Sequence, residues 1–97
     1  PIKTVVAGFD ARMIHTENLT LVAWSVQPDA KLPPHQHPHE QLTVIQEGEF
    51  EMTVGDETRR LGPGSVAVIP GGVAHTGRAL TPCRIVDVFY PARDDYR

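Results

Sequence analysis

At 97 residues, 40% of them hydrophobic and 22% charged, the chain has the material for one domain with its own core and no room for a second. Twelve acids against nine Lys and Arg leave a formal charge of −3, and no basic run exceeds Arg59-Arg60, which argues against a basic stripe for nucleic acid. Cys83 has no partner for an internal disulfide, no apolar run reaches membrane-spanning length and no signal-peptide pattern opens the chain, so the expected setting is cytoplasmic.

Eight glycines and nine prolines recur as short clusters between apolar runs, the punctuation of many short strands. A first strand is expected over residues 3–7. Residues 18–27 follow, with Leu19, Leu21 and Ala23 opposing Thr20, Val22, Trp24 and Val26; apolar side chains on both faces predict a strand packed on two sides. Residues 41–46 form the next strand. Glu47-Gly48 then turns the chain, and Phe50, Met52 and Val54 alternate with Glu49, Glu51 and Thr53 as in a hairpin with one wet face. Gly55-Asp56 turns into a strand over 58–61, Gly62-Pro63-Gly64 breaks it, and 66–69 follows. Pro70-Gly71-Gly72 makes a further turn before 73–79, and the last strand, 84–90, stops at Pro91 ahead of a short polar tail, 91–97. No segment combines helical spacing with a cap and a stop, so little helix is expected. The pattern predicts a single all-β domain over residues 1–97, closed or double-sheeted, without a propeller or solenoid repeat. The edges of so small a sheet structure, and the N-terminal strand above all, suggest a homodimer made by sheet extension or strand exchange.

Three of the five histidines crowd into Pro33-Pro34-His35-Gln36-His37-Pro38-His39-Glu40-Gln41. Residues two apart on an extended strand share a face, so His35 and His37 can point together and Gln41 can follow them. His75, just past Pro70-Gly71-Gly72, is the candidate third imidazole, completing an N₃O set of the kind that holds one first-row divalent metal. The competing reading is a loop of solvated histidines beside prolines, and a register slip would put Glu40 in the place of Gln41. His39 has the ligand parity beside a proline and suits an outer-shell or rim role. His15 has no companion in sequence and reads as an ordinary half-buried histidine. Trp24 is either core or a wall of the pocket.

The final strand carries an acid, Asp87, among apolar neighbours, sharing a face with Phe89. A buried carboxylate must be paired, protonated or in use: Asp87 either acts as a general acid or base beside the metal or forms an ion pair with Arg84 or Arg78. Arg93, beyond Pro91, either folds over the mouth to clamp a substrate carboxylate or lies on a solvated tail.

Two ordered patterns in these residues resemble those of the cupins. His35-Gln36-His37, Gln41 and Gly48 follow the first cupin motif, and Gly64, Pro70, Gly72 and His75 follow the second. The resemblance implies a jelly-roll β-barrel, or double-stranded β-helix, with a metal on the His set. Gln41 stands where cupins usually place a glutamate. A neutral donor leaves the ion's charge uncompensated, which makes a stronger Lewis acid, attracts an anionic substrate and disfavours oxygen activation.

His-Pro-His-Glu-Gln together with the C-terminal string is similar to the KdgF type of small cupin, and the likeness runs through most of the chain. That resemblance implies ring opening of 4,5-unsaturated uronates to linear keto-uronates. It assigns the metal to His35, His37, Gln41 and His75, and the catalytic roles to Asp87, Phe89 and Arg93. Tyr90 is bulkier than the small polar residue of that pattern, which would narrow the mouth and alter the substrate. The ion is one divalent transition metal, Zn, Ni, Co, Mn or Fe. Two other activities fit the same His set: non-catalytic metal or sugar binding, and a non-haem metal dioxygenase.

Overall fold

The computed structural model describes residues 3–96. Ten strands follow one another: β1 (Lys3–Val6), β2 (Phe9–His15), β3 (Thr20–Val26), β4 (Lys31–His35), β5 (Glu40–Glu47), β6 (Phe50–Val54), β7 (Glu57–Leu61), β8 (Val66–Ile69), β9 (His75–Ala79) and β10 (Cys83–Tyr90). A single 3₁₀ turn, η1 (Asp94–Tyr96), closes the described chain, and the described residues contain no α-helix. The strands form a six-stranded sheet, β1-β2-β3-β10-β5-β8, facing a four-stranded one, β4-β9-β6-β7. Every pairing is antiparallel. This is the double-stranded β-helix of a cupin.

Period-two alternation decides what fills the space between the sheets. Thr20, Val22, Trp24 and Val26 of β3 are buried while Leu21, Ala23 and Ser25 between them are exposed. Their inward neighbours include Phe9, Ile45, Phe50, Ile69, Ile85 and Phe89, which together form one continuous core.

The structure departs from the sequence expectations in three places. First, β2 was assigned no element: Asp10 and Arg12 interrupt its apolar residues, but Phe9 and Ala11 are buried and pair against Val26 and Trp24 of β3. Second, β4 begins at Lys31 and carries Pro33 and Pro34 inside it. Proline has no N–H for a ladder, and β4 accommodates two because it is an edge strand whose register shifts between Leu32 and His35. Third, β3 is covered by this chain on one face only. Of the two courses expected for the C-terminal segment, the solvated tail is excluded: Ala92 and Arg93 are buried.

Candidate metal and substrate site

His35 and His75 come together because they are register partners at the end of the β4–β9 pair, with ring centroids 4.1 Å apart. His37 lies on the loop between β4 and β5, its ring 4.9 Å from that of His75. The turn of the second motif holds that loop: Gly72 N–H donates to the His37 carbonyl at 2.8 Å. Gly71 lies so close that a Cβ there would come within 2.3 Å of the Pro38 carbonyl oxygen. The two cupin motifs are therefore one packed unit, and Gly71 is required by a close approach of backbones.

Each of the three imidazoles has Nδ1 beside a backbone carbonyl: His35 with Pro33 at 2.9 Å, His37 with His39 at 3.1 Å and His75 with Val73 at 3.0 Å. Such a contact places the proton on Nδ1 and leaves Nε2 as a bare lone pair. The Nε2 of His75 is buried without a hydrogen-bond partner. Burial first, then the charge of Arg93 and the neighbouring His75, lowers the pKa of His37 to about 4. Burial also lowers that of His75, so both rings are neutral donors at neutral pH.

Gln41, buried on β5, completes the set, with Oε1 3.1 Å from His37 Nε2. The direction of its amide follows from its other neighbours. Its Nε2 donates to Thr43 Oγ1 at 2.9 Å, and the Thr43 hydroxyl donates its only proton to Asp87 Oδ1 at 2.6 Å. Thr43 must therefore accept from Gln41, which turns the amide oxygen toward the histidines. With Nδ1 protonated, His37 Nε2 and Gln41 Oε1 present lone pairs to each other, an arrangement that a shared cation reconciles. The His35, His37 and His75 donor atoms lie within 4.8 Å of one another. Tetrahedral donors at 2.0–2.1 Å from one ion are about 3.4 Å apart, so holding a metal would draw the donor atoms together by up to about 1.4 Å. The residues fit a divalent metal. Glu40, the register alternative, is exposed on the outer face, opposite Tyr90.

Asp87 pairs with neither Arg84 nor Arg78. It is the register partner of Thr43, and its Oδ2 accepts from Trp24 Nε1 at 2.8 Å. Burial pushes its carboxyl pKa up, against the opposing effect of the Thr43 and Trp24 donors. Trp24 is thus both core, edge-on to Phe9 at 5.9 Å, and a wall of the site. Neither Thr43 nor the Trp24–Asp87 bond was foreseen. Thr43 reads in sequence as one more strand-forming residue, and Trp24 and Asp87 lie 63 positions apart.

Arg93 sits at the mouth, its guanidinium 4.8 Å from the centroid of Phe89 and 4.0 Å from that of Tyr96. Nε and Nη2 engage Asp95 in a fork, at 3.0 and 2.8 Å, and Nη1 is buried without a partner. Burial acts to lower the Arg93 pKa, but Asp95 and Tyr96 outweigh it and the net shift is upward. The Arg93 backbone N–H donates to Thr20 Oγ1, which lies 2.8 Å from Nδ1 of His15. His15 therefore belongs to the anchor of the C-terminal segment. His39 contributes its carbonyl to His37, while its ring Nδ1 is buried and unpartnered. Tyr90 does not narrow the mouth: one position past Phe89, it points outward and is 57% exposed. His35, Gln41, Thr43, Asp87, Phe89 and Arg93 line one interior cavity of about 50 Å³.

Fold and site define a cupin, and the Cupin domain family model matches residues 22–89; the chain belongs to that family. Its structure is similar to that of KdgF from Halomonas sp., at 34% identity and a TM-score of 0.94, covering 100% of this chain and 91% of that one. It is also similar to an RmlC-like cupin from Shewanella frigidimarina, at 28% identity and a TM-score of 0.95, covering 100% of this chain and 88% of that one. H2HPP isomerase of Bacillus subtilis is 34% identical over 64 residues, 65% of this chain. The chain spans only 27% of that relative's length.

Proposed function

We propose that this cupin is a metal-dependent enzyme that opens the ring of a small carboxylated sugar, a 4,5-unsaturated uronate, giving a linear keto-uronate. The observation that carries this reading is the sharing of one cavity by a buried carboxylate, a buried guanidinium with Nη1 unpaired, and three of the four candidate donors, His35, His75 and Gln41. The likeness to KdgF over the whole chain supports it. Held by His35, His37, His75 and Gln41, a divalent transition metal (Zn, Ni, Co, Mn or Fe) would supply positive charge for a ring or hydroxyl oxygen.

The chain's own residues do the rest. Arg93 binds the substrate carboxylate, beginning with its free Nη1. Phe89, whose ring forms the floor beneath that guanidinium, packs on the sugar face. Asp87 keeps a free lone pair on each oxygen beside the bonds from Trp24 and Thr43, and burial has raised its proton affinity. It takes the proton of the anomeric hydroxyl. The bond from the anomeric carbon to the ring oxygen breaks, and Asp87 returns the proton to the enol carbon, so no redox partner is needed. Arg93 and Tyr96 line this cavity, so the 93–96 segment would shift to admit a sugar ring.

The test is loss of the ring-alkene absorbance of 4,5-unsaturated galacturonate with as-purified, chelated and remetallated protein. Turnover abolished by chelation and restored by metal is the expected result, together with an Asp87→Asn variant that keeps fold and metal but not turnover. No turnover in metal-loaded protein would overturn the uronate reading and leave a binding cupin. Oxygen uptake on adding substrate would point instead to a dioxygenase.

A further inference from the structure

Asp95 grips the Arg93 guanidinium, but the rings on either side of it have a separate effect. The 3₁₀ turn η1 is closed by the Tyr96 N–H, which donates to the Arg93 carbonyl at 2.9 Å. Such a turn has three residues, so side chains at i and i+3 eclipse, and the backbone itself stacks Tyr96 on Arg93. The guanidinium carbon lies 4.0 Å from the Tyr96 ring centroid and 4.8 Å from that of Phe89. The two centroids are 6.0 Å apart with the ring planes at 85°. These three lengths meet at the guanidinium in nearly a right angle, so the cation occupies the inside corner of two perpendicular rings.

We infer that Tyr96 is a positioning residue for the substrate, its ring and not its hydroxyl holding the Arg93 guanidinium so that Nη1 meets a carboxylate in the cavity. That this carboxylate belongs to a uronate rests on the function proposed above. Permanence is the first argument. A carboxylate arriving at Arg93 competes with Asp95, whose side chain is 56% exposed, for the same N–H groups. The rings use none of the five N–H donors, so their hold on the cation outlasts the departure of Asp95.

The second argument is the environment. Arg93 is only 6% exposed, and the negative faces of two aromatic rings offset the loss of its water without filling its donor sites. Aliphatic cover would exclude the same water and give no such attraction. Both rings are themselves held: Phe89 is buried in β10, and Tyr96 packs against the core. Phe89, Arg93 and Tyr96 line the same cavity as Asp87, so a guanidinium fixed in this corner fixes the distance between the bound carboxylate and the proton-moving group.

Two substitutions separate ring from hydroxyl. Tyr96→Leu keeps apolar cover and removes the ring, and Tyr96→Phe keeps the ring and removes the hydroxyl. With 4,5-unsaturated galacturonate, Tyr96→Leu should raise KM about 2–30-fold, the range spanned by one cation–π contact, with zinc affinity unchanged. Tyr96→Phe should rescue most of that loss. Calorimetric binding of saturated galacturonate, which has the carboxylate and lacks the ring alkene, should weaken in step. NMR of protein carrying ¹⁵N-arginine reads the corner without substrate: the Arg93 Nε–H signal should carry the ring-current shift of two aromatic faces, lose part of it in Tyr96→Leu and regain it in Tyr96→Phe. Tyr96→Leu with the KM of the wild type, or with the Arg93 signal unmoved, would overturn the inference. So would a Tyr96→Phe as impaired as Tyr96→Leu, which would give the role to the hydroxyl. A wild type that neither turns over the unsaturated uronate nor binds galacturonate refutes the uronate reading instead, and the Arg93 signal alone then decides whether Tyr96 holds the guanidinium.

Discussion

Thr43 is the residue on which the geometry of the centre most depends, although it touches none of the three histidines. Thr43→Val keeps the side-chain shape but removes two buried bonds, the 2.9 Å bond from Gln41 and the 2.6 Å bond to Asp87. Each partner is left without its bond, at about 1–3 kcal/mol apiece, so the loss totals roughly 2–6 kcal/mol. In a domain of this size 1 kcal/mol moves the melting temperature by about 4–8 °C, which predicts a fall of roughly 10–50 °C for the metal-free protein. Separately, the Gln41 amide loses the contact that turns its oxygen inward, and metal affinity should drop about 10–100-fold, the usual effect of removing an outer-shell partner. Calorimetric melting of chelated protein gives the first quantity and competitive zinc titration the second. Thr43→Ser restores the hydroxyl and should recover most of the affinity, which a purely structural defect would not explain. A Thr43→Val protein that melts and binds zinc like the wild type would refute the relay from Asp87 to Gln41.

Gly71→Ala drives a methyl against the Pro38 carbonyl and so displaces the loop that carries His37; zinc affinity should fall about tenfold or more, as for other outer-shell changes, with all four donors unaltered. Stability of the chelated protein should fall on acidification. The folded-state pKa of His37, about 4, lies below the unfolded value near 6.5, so the contribution is complete above about pH 6.5 and is lost as pH falls through about 4. His75 acts in the same direction, and His37→Gln should flatten the dependence of melting temperature on pH. Arg93→Lys keeps the charge but not the fork, so KM for a uronate should rise about tenfold or more while zinc binding is unchanged. Asp95→Asn releases the guanidinium from its internal carboxylate and should lower KM; a raised KM would mean that Asp95 positions Arg93 for substrate.

The legible features were those that depend on neighbours in sequence. The alternation of Phe50, Met52 and Val54 with acids and threonine marked β6, because the two-residue period acts within one strand. His35, His37 and Gln41 were expected to share the face of one extended strand, but they lie on β4, the loop after it and β5, so it is the path of the chain between the strands that brings them together. Hidden features depended on what a strand pairs with. Phe9–His15 lacks a clean apolar pattern and becomes a strand through its register with β3. Pro33 and Pro34 mark a strand only once β4 is known to be an edge. Tyr90 was misread as a mouth residue although parity with Phe89 would have placed it outside. The apolar outer side of β3 led to the expectation of a strand packed on two sides, but the described residues cover only one of its faces.

The charges of the site explain why glutamine serves where cupins usually carry a glutamate. Three imidazoles and an amide add no charge to the centre. Asp87, bonded to Thr43 and also within hydrogen-bonding influence of the Gln41 amide, steadies that amide from behind without joining the donor set. At the mouth, Arg93 is balanced by Asp95, so the segment can close over the cavity without an uncompensated cation. A carboxylate arriving from solvent would replace Asp95 charge for charge, and Asp95, with a side chain 56% exposed, would turn into water at little expense. Neutral sugars could not make that exchange. Selectivity for an acid would then arise from an exchange of partners at Arg93, and the proton chemistry would remain with Asp87 on the far side of the cavity.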